Sequence, residues 1–407
     1  MTRLRREVVA AATTLVLAAC AGRPHPAALV PVAPAITVSP ATAPPSIRPV
    51  AAAPLATRDG YAATDLGPAL AAFRATCSSL ATRRDASGLT QPGDWTAPCA
   101  AAATATDPSQ FFASALVAVT IGDGRGLDTG YFEPDLAASA TRSAGYTIPI
   151  YGRPADLVDL DLGSFDPTLA GKHIRGRVAG GTLVPYYDRA AVDAGALAGR
   201  GLELAWAADP YAAFFLEIQG SGRLRLSDGT TLRVGYAGQN GHAYTGIGKL
   251  LRDRGALGPG QATMAGIIGW LRAHPAEAPD VLHANRSKVF FKPLTIPPGQ
   301  GPPGALGVPL TARVSVAADP AFVSLGIPLW LDTTVAGAPF HTVVVVQDTG
   351  GAIRGANRLD LFWGSGDAAG AVAGGITATG TVTVLLPPAA ADRFGVADVR
   401  RAAPPRP

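Results

Sequence analysis

The residues best equipped for chemistry in this 407-residue chain are carboxylates set among aromatic and glycine residues. Four stretches concentrate them. The first is Thr129-Gly130-Tyr131-Phe132-Glu133-Pro134, with Pro149-Ile150-Tyr151 downstream. The second is Phe214-Phe215-Leu216-Glu217-Ile218-Gln219-Gly220-Ser221-Gly222-Arg223, and the third runs from Tyr236 through Asn240 and His242 to Tyr244 and on to Ile247-Gly248-Lys249. The fourth is Asp348-Thr349-Gly350-Gly351-Ala352-Ile353-Arg354-Gly355 followed by Asp360-Leu361-Phe362-Trp363-Gly364-Ser365-Gly366. Such a set suits carbohydrate. A carboxylic acid can protonate the leaving oxygen of a glycosidic bond. Aromatic faces seat sugar rings, while amides and hydroxyls read sugar OH groups.

Other chemistries lack their residues. The six histidines show no metal-ligand spacing, so no metal is expected. No nucleophile-elbow serine is present, and no cofactor is called for. Gly122-Asp123-Gly124-Arg125-Gly126 lacks the lysine and context of a phosphate loop and reads as a turn. A formal charge of +4 without a basic stripe gives no reason to expect nucleic acid. Two Asp-Thr-Gly triplets, Asp128-Thr129-Gly130 and Asp348-Thr349-Gly350, allow an aspartic protease sharing one proton between two carboxyls. That reading leaves Gln219 to Arg223 unexplained. A non-catalytic protein that binds cell-wall glycan is a second alternative, since fold does not fix function.

The elements that must position these residues are mostly short. Residues 64–82 read as a helix, with Leu66, Leu70, Phe73 and Leu80 at apolar positions. Leu202 to Trp206, Phe214 to Ile218 and Leu224 to Leu226 read as strands. Asp228-Gly229 is a turn signal before a return strand from Thr231 to Val234. Ile247, Leu250 and Leu251 repeat at helical spacing and stop at Gly255. Met264, Ile267, Ile268 and Leu271 do the same before Pro275. Thr342 to Val346 and Thr381 to Leu386 return to strand. A mainly β body with a few helices follows.

The N-terminus reads as an export signal. Arg3, Arg5 and Arg6 precede an apolar run from Val8 to Ala19, shorter than the roughly 20 residues a spanning helix needs. Leu17-Ala18-Ala19-Cys20 looks like a lipobox, making Cys20 the lipidated residue. Several acyl chains there would hold the protein stably on a membrane. The alternative is a plain signal peptide with an incidental cysteine. From Arg23 to about Thr57, alanine and proline suggest an extended tether. In an exported chain Cys77 and Cys99 suggest a disulfide, contributing roughly 3 kcal/mol in the chain-entropy model. Two free buried thiols are the alternative.

The four stretches, in this order and spacing, resemble the membrane-bound lytic murein transglycosylase A (MltA) family from about Asp65 to about Pro387. The C-terminal part resembles its "3D" domain, whose three aspartates match Asp319, Asp348 and Asp360. The resemblance implies a double-psi β-barrel with a second β-barrel domain inserted into it. It also implies cleavage of the β-1,4 bond between N-acetylmuramic acid and N-acetylglucosamine, forming a 1,6-anhydro ring. Asp360 matches the family's catalytic acid. The implied partners are peptidoglycan glycan strands, with wall-assembly proteins unidentified. The implied place is the periplasmic face of the outer membrane, reached through the lipid anchor. The corresponding division is a leader at 1–19, a tether at 20–57, and an N-terminal helical part with the start of the first barrel at 58–132. The inserted barrel then takes 133–257, the rest of the first barrel 258–397 and a tail 398–407.

On this reading Asp360 must start protonated, so an apolar setting including Phe362 and Trp363 should raise its pKa, with Asp348 adding like-charge repulsion. Gln219, Ser221 and Arg223 are candidates for reading sugar hydroxyls and acetamido groups, with Thr129, Tyr131 and Glu133 on the opposite wall. Blander roles stand beside these. Asp348 before Thr-Gly-Gly and Asp319 before Pro320 fit turns, Glu133 fits an ion pair, and Gln219 to Arg223 fits a glycine-rich hairpin turn. Tyr236, Asn240 and Tyr244 fit packing and turn positions, and Trp206, Trp270 and Trp330 fit the core. One departure from the family is Arg313-Val314-Ser315, where it carries Gly-Arg-Ser.

Overall fold

A computed structural model of the chain describes residues 48–396; Cys20, the leader and the extreme tail lie outside the described residues. Strand β1 (Val50–Ala51) is followed by helices α1 (Gly67–Leu80), α2 (Thr96–Thr104) and α3 (Pro108–Ala115). Next come β2 (Val117–Thr120), β3 (Arg125–Glu133), β4 (Asp135–Ser139), β5 (Ile148–Tyr151), β6 (Val158–Asp161), β7 (His173–Ala179) and β8 (Thr182–Pro185). A single turn, α4 (Arg189–Ala191), leads to β9 (Glu203–Ala207), α5 (Pro210–Gln219), β10 (Ser221–Leu226) and β11 (Thr231–Gln239). Three helices, α6 (Ile247–Asp253), α7 (Met264–Ala273) and α8 (Ala278–Ala284), precede β12 (Val289–Pro293). The chain ends with β13 (Ser315–Ala317), β14 (Pro328–Val335), β15 (Ala338–Asp348), β16 (Leu359–Ser365), α9 (Asp367–Ala373), β17 (Thr377–Leu386) and α10 (Pro388–Arg393).

Two sheets organise these strands. The first runs β1-β2-β17-β14-β15-β13-β16-β3, and a further β17–β3 pairing closes β17, β14, β15, β13, β16 and β3 into a ring. Closure removes the exposed edges of the ring. Parallel pairs β13–β15 and β16–β3 sit among antiparallel ones, as in the expected double-psi barrel. Val343 to Val346 of β15 are fully buried on both faces, which explains their unbroken apolar run. Phe73, Trp95, Phe111 and Phe112 from the helical N-terminal part join the same core. The Cys77–Cys99 disulfide ties α1 to α2, with Cα atoms 5.7 Å apart.

The second sheet, β12-β11-β10-β4-β9-β5, lies in sequence between β3 and β13 of the first, so one barrel is inserted into the other. A bridge from Gly152 to Phe291 joins its two ends. Leu136, Ile150, Leu216, Leu224, Val234 and Phe291 fill it. A small sheet, β6-β7-β8, stands beside these two.

Four expectations need correction. Phe214 to Ile218 is helix, not strand. Asp209 Oδ1 accepts from Tyr211 N and Ala212 N at 2.8 and 3.3 Å, Pro210 takes the first turn, and Gly220 closes the helix at φ 78°. These caps decide what an apolar run alone leaves open. Val50 and Ala51 pair with Thr120 and Val119, and Leu55 is buried, so folded structure begins inside the expected 20–57 tether. The inserted sheet extends through β12 to Pro293, past residue 257, because β12 pairs with β11 after the three helices. Trp330 is core, whereas Trp206 and Trp270 are half-buried.

Candidate active site

Asp360 lies on β16, paired in parallel with β3 so that Asp360 stands opposite Thr129 and Phe362 opposite Tyr131. Alternation along each strand puts Thr129 and Tyr131 on one face and Asp128 on the other. Thr129 Oγ1 donates to Asp360 Oδ1 at 2.5 Å. It is the single protein donor to this carboxyl among the described residues. Burial pushes the Asp360 pKa up to about 6; the Thr129 hydrogen bond and the Arg358 charge oppose the rise, and the Asp348 charge adds to it. Asp360 is thus a carboxyl that holds its proton into the mildly acidic range.

Asp348 ends β15. Its Oδ2 accepts from the Tyr131 hydroxyl at 2.9 Å, while Oδ1 accepts from Ala305 N and Thr349 N, each at 2.9 Å. Burial raises its pKa despite those three donors. The Thr349 contact is the local turn seen in the sequence, and the Tyr131 contact links Asp348 to the strand carrying Thr129. Tyr131 packs with Phe362 at 5.3 Å between ring centroids, in a cluster with Leu310, Ala317 and Ile353. Phe362 therefore belongs to the apolar surroundings of the site. Trp363 falls on the other face of β16 and packs on Phe340 at 5.7 Å, so it does not supply that setting. Asp319 shapes a turn: its carboxylate accepts from Ala321 N at 3.2 Å and Gly355 N at 2.9 Å.

Of the remaining candidates, Gln219 and Glu133 link the two barrels, while Arg223 braces the inserted one. Gln219 Oε1 accepts from Phe132 N of β3 at 2.9 Å. Arg223 grips Asp135 with two 2.7 Å bonds. Ser221 is buried at the start of β10. Glu133 is fully buried, bonded to Arg233 at 2.8 Å and to the Ser365 hydroxyl at 2.6 Å. Of its two expected roles the structure shows the ion pair and not a place on a ligand-facing wall. Its charge is neutralised inside the protein, and its role is to tie β3, β11 and β16 together. Gln219 bonds β3 itself, and Arg223 bonds Pro134 and Asp135 just beyond it; they do not face that strand from an opposite wall.

The two Asp-Thr-Gly triplets do not form a proton-sharing pair. Asp128 is 1% exposed, its oxygens without hydrogen-bond partners, on the face of β3 away from Tyr131 and its partner Asp348. Burial raises its pKa to about 6 as well. Its carboxyl fills the space left by Gly380, where a Cβ would lie 2.2 Å from Asp128 Oδ2.

Three further residues bear on the site: one not singled out in the sequence, one read there only as packing and one noted there only as a departure. Arg358 lies two residues before Asp360, the strand spacing that returns a side chain to the same face; this signal was legible. Tyr244, read as packing, has its pKa raised by burial and by the charge of Asp360, with Arg189 opposing. It therefore brings the insertion within electrostatic reach of the site. Arg313, where the family pattern has glycine, adopts φ 62°, a conformation costly for a residue with a side chain. Its amide donates to Phe362 O at 2.7 Å and its guanidinium lies 5.9 Å over the Trp363 ring, so the departure stays attached to the Asp360 strand.

Comparison with known proteins places this geometry. Residues 127–292 match the profile of the MltA specific insert domain, and residues 314–386 match the 3D domain. A crystal structure of a membrane-bound lytic murein transglycosylase from Agrobacterium tumefaciens superposes with a TM-score of 0.77 at 34% identity, covering 84% of this chain and 99% of that one. The chain belongs to the MltA family. The membrane-bound lytic murein transglycosylase A of Vibrio cholerae is 34% identical over 264 residues, 62% of this chain. The chain spans 64% of the length of that curated relative. Escherichia coli MltA, solved with bound chitohexaose, is similar at 28% identity with a TM-score of 0.61, covering 81% of this chain and 90% of that one. Asp360 and Asp348 both lie within the 3D-domain match, Asp360 bonded to Thr129 and Asp348 to Tyr131.

Proposed function

We propose that this protein is a peptidoglycan lytic transglycosylase with Asp360 as its catalytic acid. The observation that carries the reading is the state of Asp360: one neutral donor, a half-buried place beside the packed Tyr131 and Phe362 rings, and a pKa raised to about 6. The MltA relatives, and the sugar oligomer bound by one of them, supply the substrate class. Asp360 gives its proton to the glycosidic oxygen as the bond from muramic acid C1 breaks. The C6 hydroxyl of the same sugar then attacks C1, and its proton returns to the Asp360 carboxylate. The acid is regenerated and no water is consumed. Because the nucleophile is already attached to the reacting ring, proximity replaces the second carboxylate that a hydrolase requires.

Asp348 acts in this scheme through its charge on Asp360 and through its hold on Tyr131. Gln219, Ser221 and Arg223 border the strand that bears Thr129, and their contribution is to shape the sugar-binding face. Cys20, outside the described residues, is the proposed lipidation site. The proposed location is the periplasmic face of the outer membrane. Supporting this are the lipobox-like sequence and the membrane-bound description of the relatives. No helix of the described residues is long and apolar enough to cross a membrane.

The test is mass spectrometry of purified peptidoglycan digested by a soluble form beginning near Arg48, beside Asp360→Ala. Anhydro-muropeptides are expected from the wild type, with at least about a thousandfold less from the variant. Reducing-end sugars would mean water is the nucleophile, and retention of wall material without products would mean a binding protein.

A further inference from the structure

Arg358 is the one cation that lowers the pKa of Asp360, yet it does not touch it. Its position is tightly fixed. Asn357 before it turns through φ 55°, a conformation asparagine tolerates, and its Nδ2 donates to Ile121 O at 2.9 Å. Gly126 lets this turn approach β3, since a Cβ there would lie 1.7 Å from Asn357 O. The Arg358 guanidinium then donates through Nη1 to Leu127 O at 3.2 Å and to Leu359 O. Through Nη2 it donates to Thr129 Oγ1 at 2.9 Å.

We propose that Arg358 is a positioning residue that sets the direction of the Thr129 hydroxyl, so that Asp360 Oδ1 is held as an acceptor and its transferable proton rides on Oδ2. The inference rests on the reading of Asp360 as the acid. A guanidinium has donors and no acceptor. The Arg358–Thr129 bond therefore runs one way, and the hydroxyl keeps its own hydrogen for Asp360. Oδ1 is occupied by that hydrogen, and Oδ2 has no hydrogen-bond partner among the described residues. When Oδ2 gives its proton to the leaving oxygen, the carboxylate is met by a hydroxyl already polarised by a cation. The return of the C6 hydroxyl proton discharges it. Arg358 thus offsets part of the burial and of the Asp348 repulsion, holding the acid close to its working pH.

The groups facing Asp360 are Thr129 and Tyr131 from β3, Asp348 from β15 and Tyr244 from the insertion. Asp128, across β3, also feels Arg358. The experiment is the pH dependence of kcat/KM on purified peptidoglycan for wild type, Arg358→Ala, Arg358→Lys, Thr129→Val and Asp128→Asn, each checked for folding by its melting temperature. In Arg358→Ala and Thr129→Val the basic limb should move to higher pH, and kcat should fall about tenfold or more with KM little changed. Arg358→Lys should restore part of the limb's position. Thr129→Val is nearly isosteric, which keeps the test decisive if Arg358→Ala folds poorly. A limb unmoved in Thr129→Val would overturn the proposal, as would a limb that disappears in Asp128→Asn and so belongs to that carboxyl. A wild type that yields no anhydro product sinks the proposed function itself, whereas an active wild type with unmoved limbs sinks only the role of Arg358.

Discussion

Two carboxyls in this molecule, one buried and one half-buried, both feel desolvation and end in opposite states. Glu217, on α5 of the insertion, accepts from Arg189 at 3.2 and 2.9 Å, from Lys288 at 2.8 Å and from Val289 N at 3.0 Å. Burial pushes its pKa up, but the two cations and their hydrogen bonds win and hold it below the usual range. Asp360, on the first barrel, receives one neutral hydroxyl and a cation at one remove, and burial wins. The difference lies in what the surrounding strands bring. Arg189 also lies 4.5 Å over the Phe214 ring and donates to Asn285 O at 2.9 Å, so the Glu217 cluster joins α4, α5 and the segment before β12. It is scaffolding held by paired charge. The incomplete pairing of Asp360 leaves a proton available to a substrate.

The comparison can be broken first at Glu217. Glu217→Ala leaves Arg189 and Lys288 buried without their shared partner and should destabilise the protein by about 3–5 kcal/mol. Denaturant unfolding checks this, and a loss under about 1 kcal/mol would show that the cluster is not the insertion's anchor. Asp360→Asn should do the reverse. The folded-state pKa of about 6 lies above the unfolded value, so ionisation of Asp360 disfavours the fold. Well below the unfolded pKa of about 3.9 the acid is neutral in both states and costs nothing. The penalty grows as pH rises toward the folded pKa and is full above it. The asparagine variant should therefore unfold at higher denaturant near pH 8, by of the order of 2 kcal/mol, and match the wild type at about pH 3. Equal stability at both pH values would place Asp360 in an ordinary solvated setting.

The same contrast explains what the sequence made legible. Asp360 and Asp348 stand out because glycines and aromatics cluster around them, and those neighbours are needed only where strands approach closely and a carboxyl is kept dry. The barrel strands were readable wherever one pattern held, as in Thr342 to Val346. The α5 segment was not, because Phe214 to Ile218 is apolar enough for either state and its caps, Asp209 and Gly220, lie at its ends. Misreading that helix as a strand also hid Glu217, whose partners come from 28 and 71 residues away. The partner of Glu133, for which an ion pair was one of two readings, was illegible for the same reason. Nothing local announces that Arg233, 100 residues on, neutralises it. Long-range charge pairing has no sequence period, whereas close backbone approach leaves glycines behind.

The smallest expected effect is the sharpest test of how Asp348 acts. In Asp348→Asn the Oδ1 acceptor for Ala305 N and Thr349 N is retained, and Tyr131 can accept from the new amide where it now donates to Oδ2. Packing around Tyr131 and Phe362 is therefore preserved, and what is removed is a negative charge. That charge raises the Asp360 pKa, so its loss lets the pKa fall. For an enzyme that needs Asp360 protonated, the basic limb of kcat/KM should move to lower pH by less than about one unit, opposite in sign to the shift in Arg358→Ala. A limb that moves upward, or activity lost without any shift, would mean that Asp348 works by holding Tyr131 in place and that the charge between the two aspartates is incidental. Opposite shifts from the two variants would mean that the acid's proton affinity is set by a cation and an anion on either side of it, with burial supplying the larger, common rise.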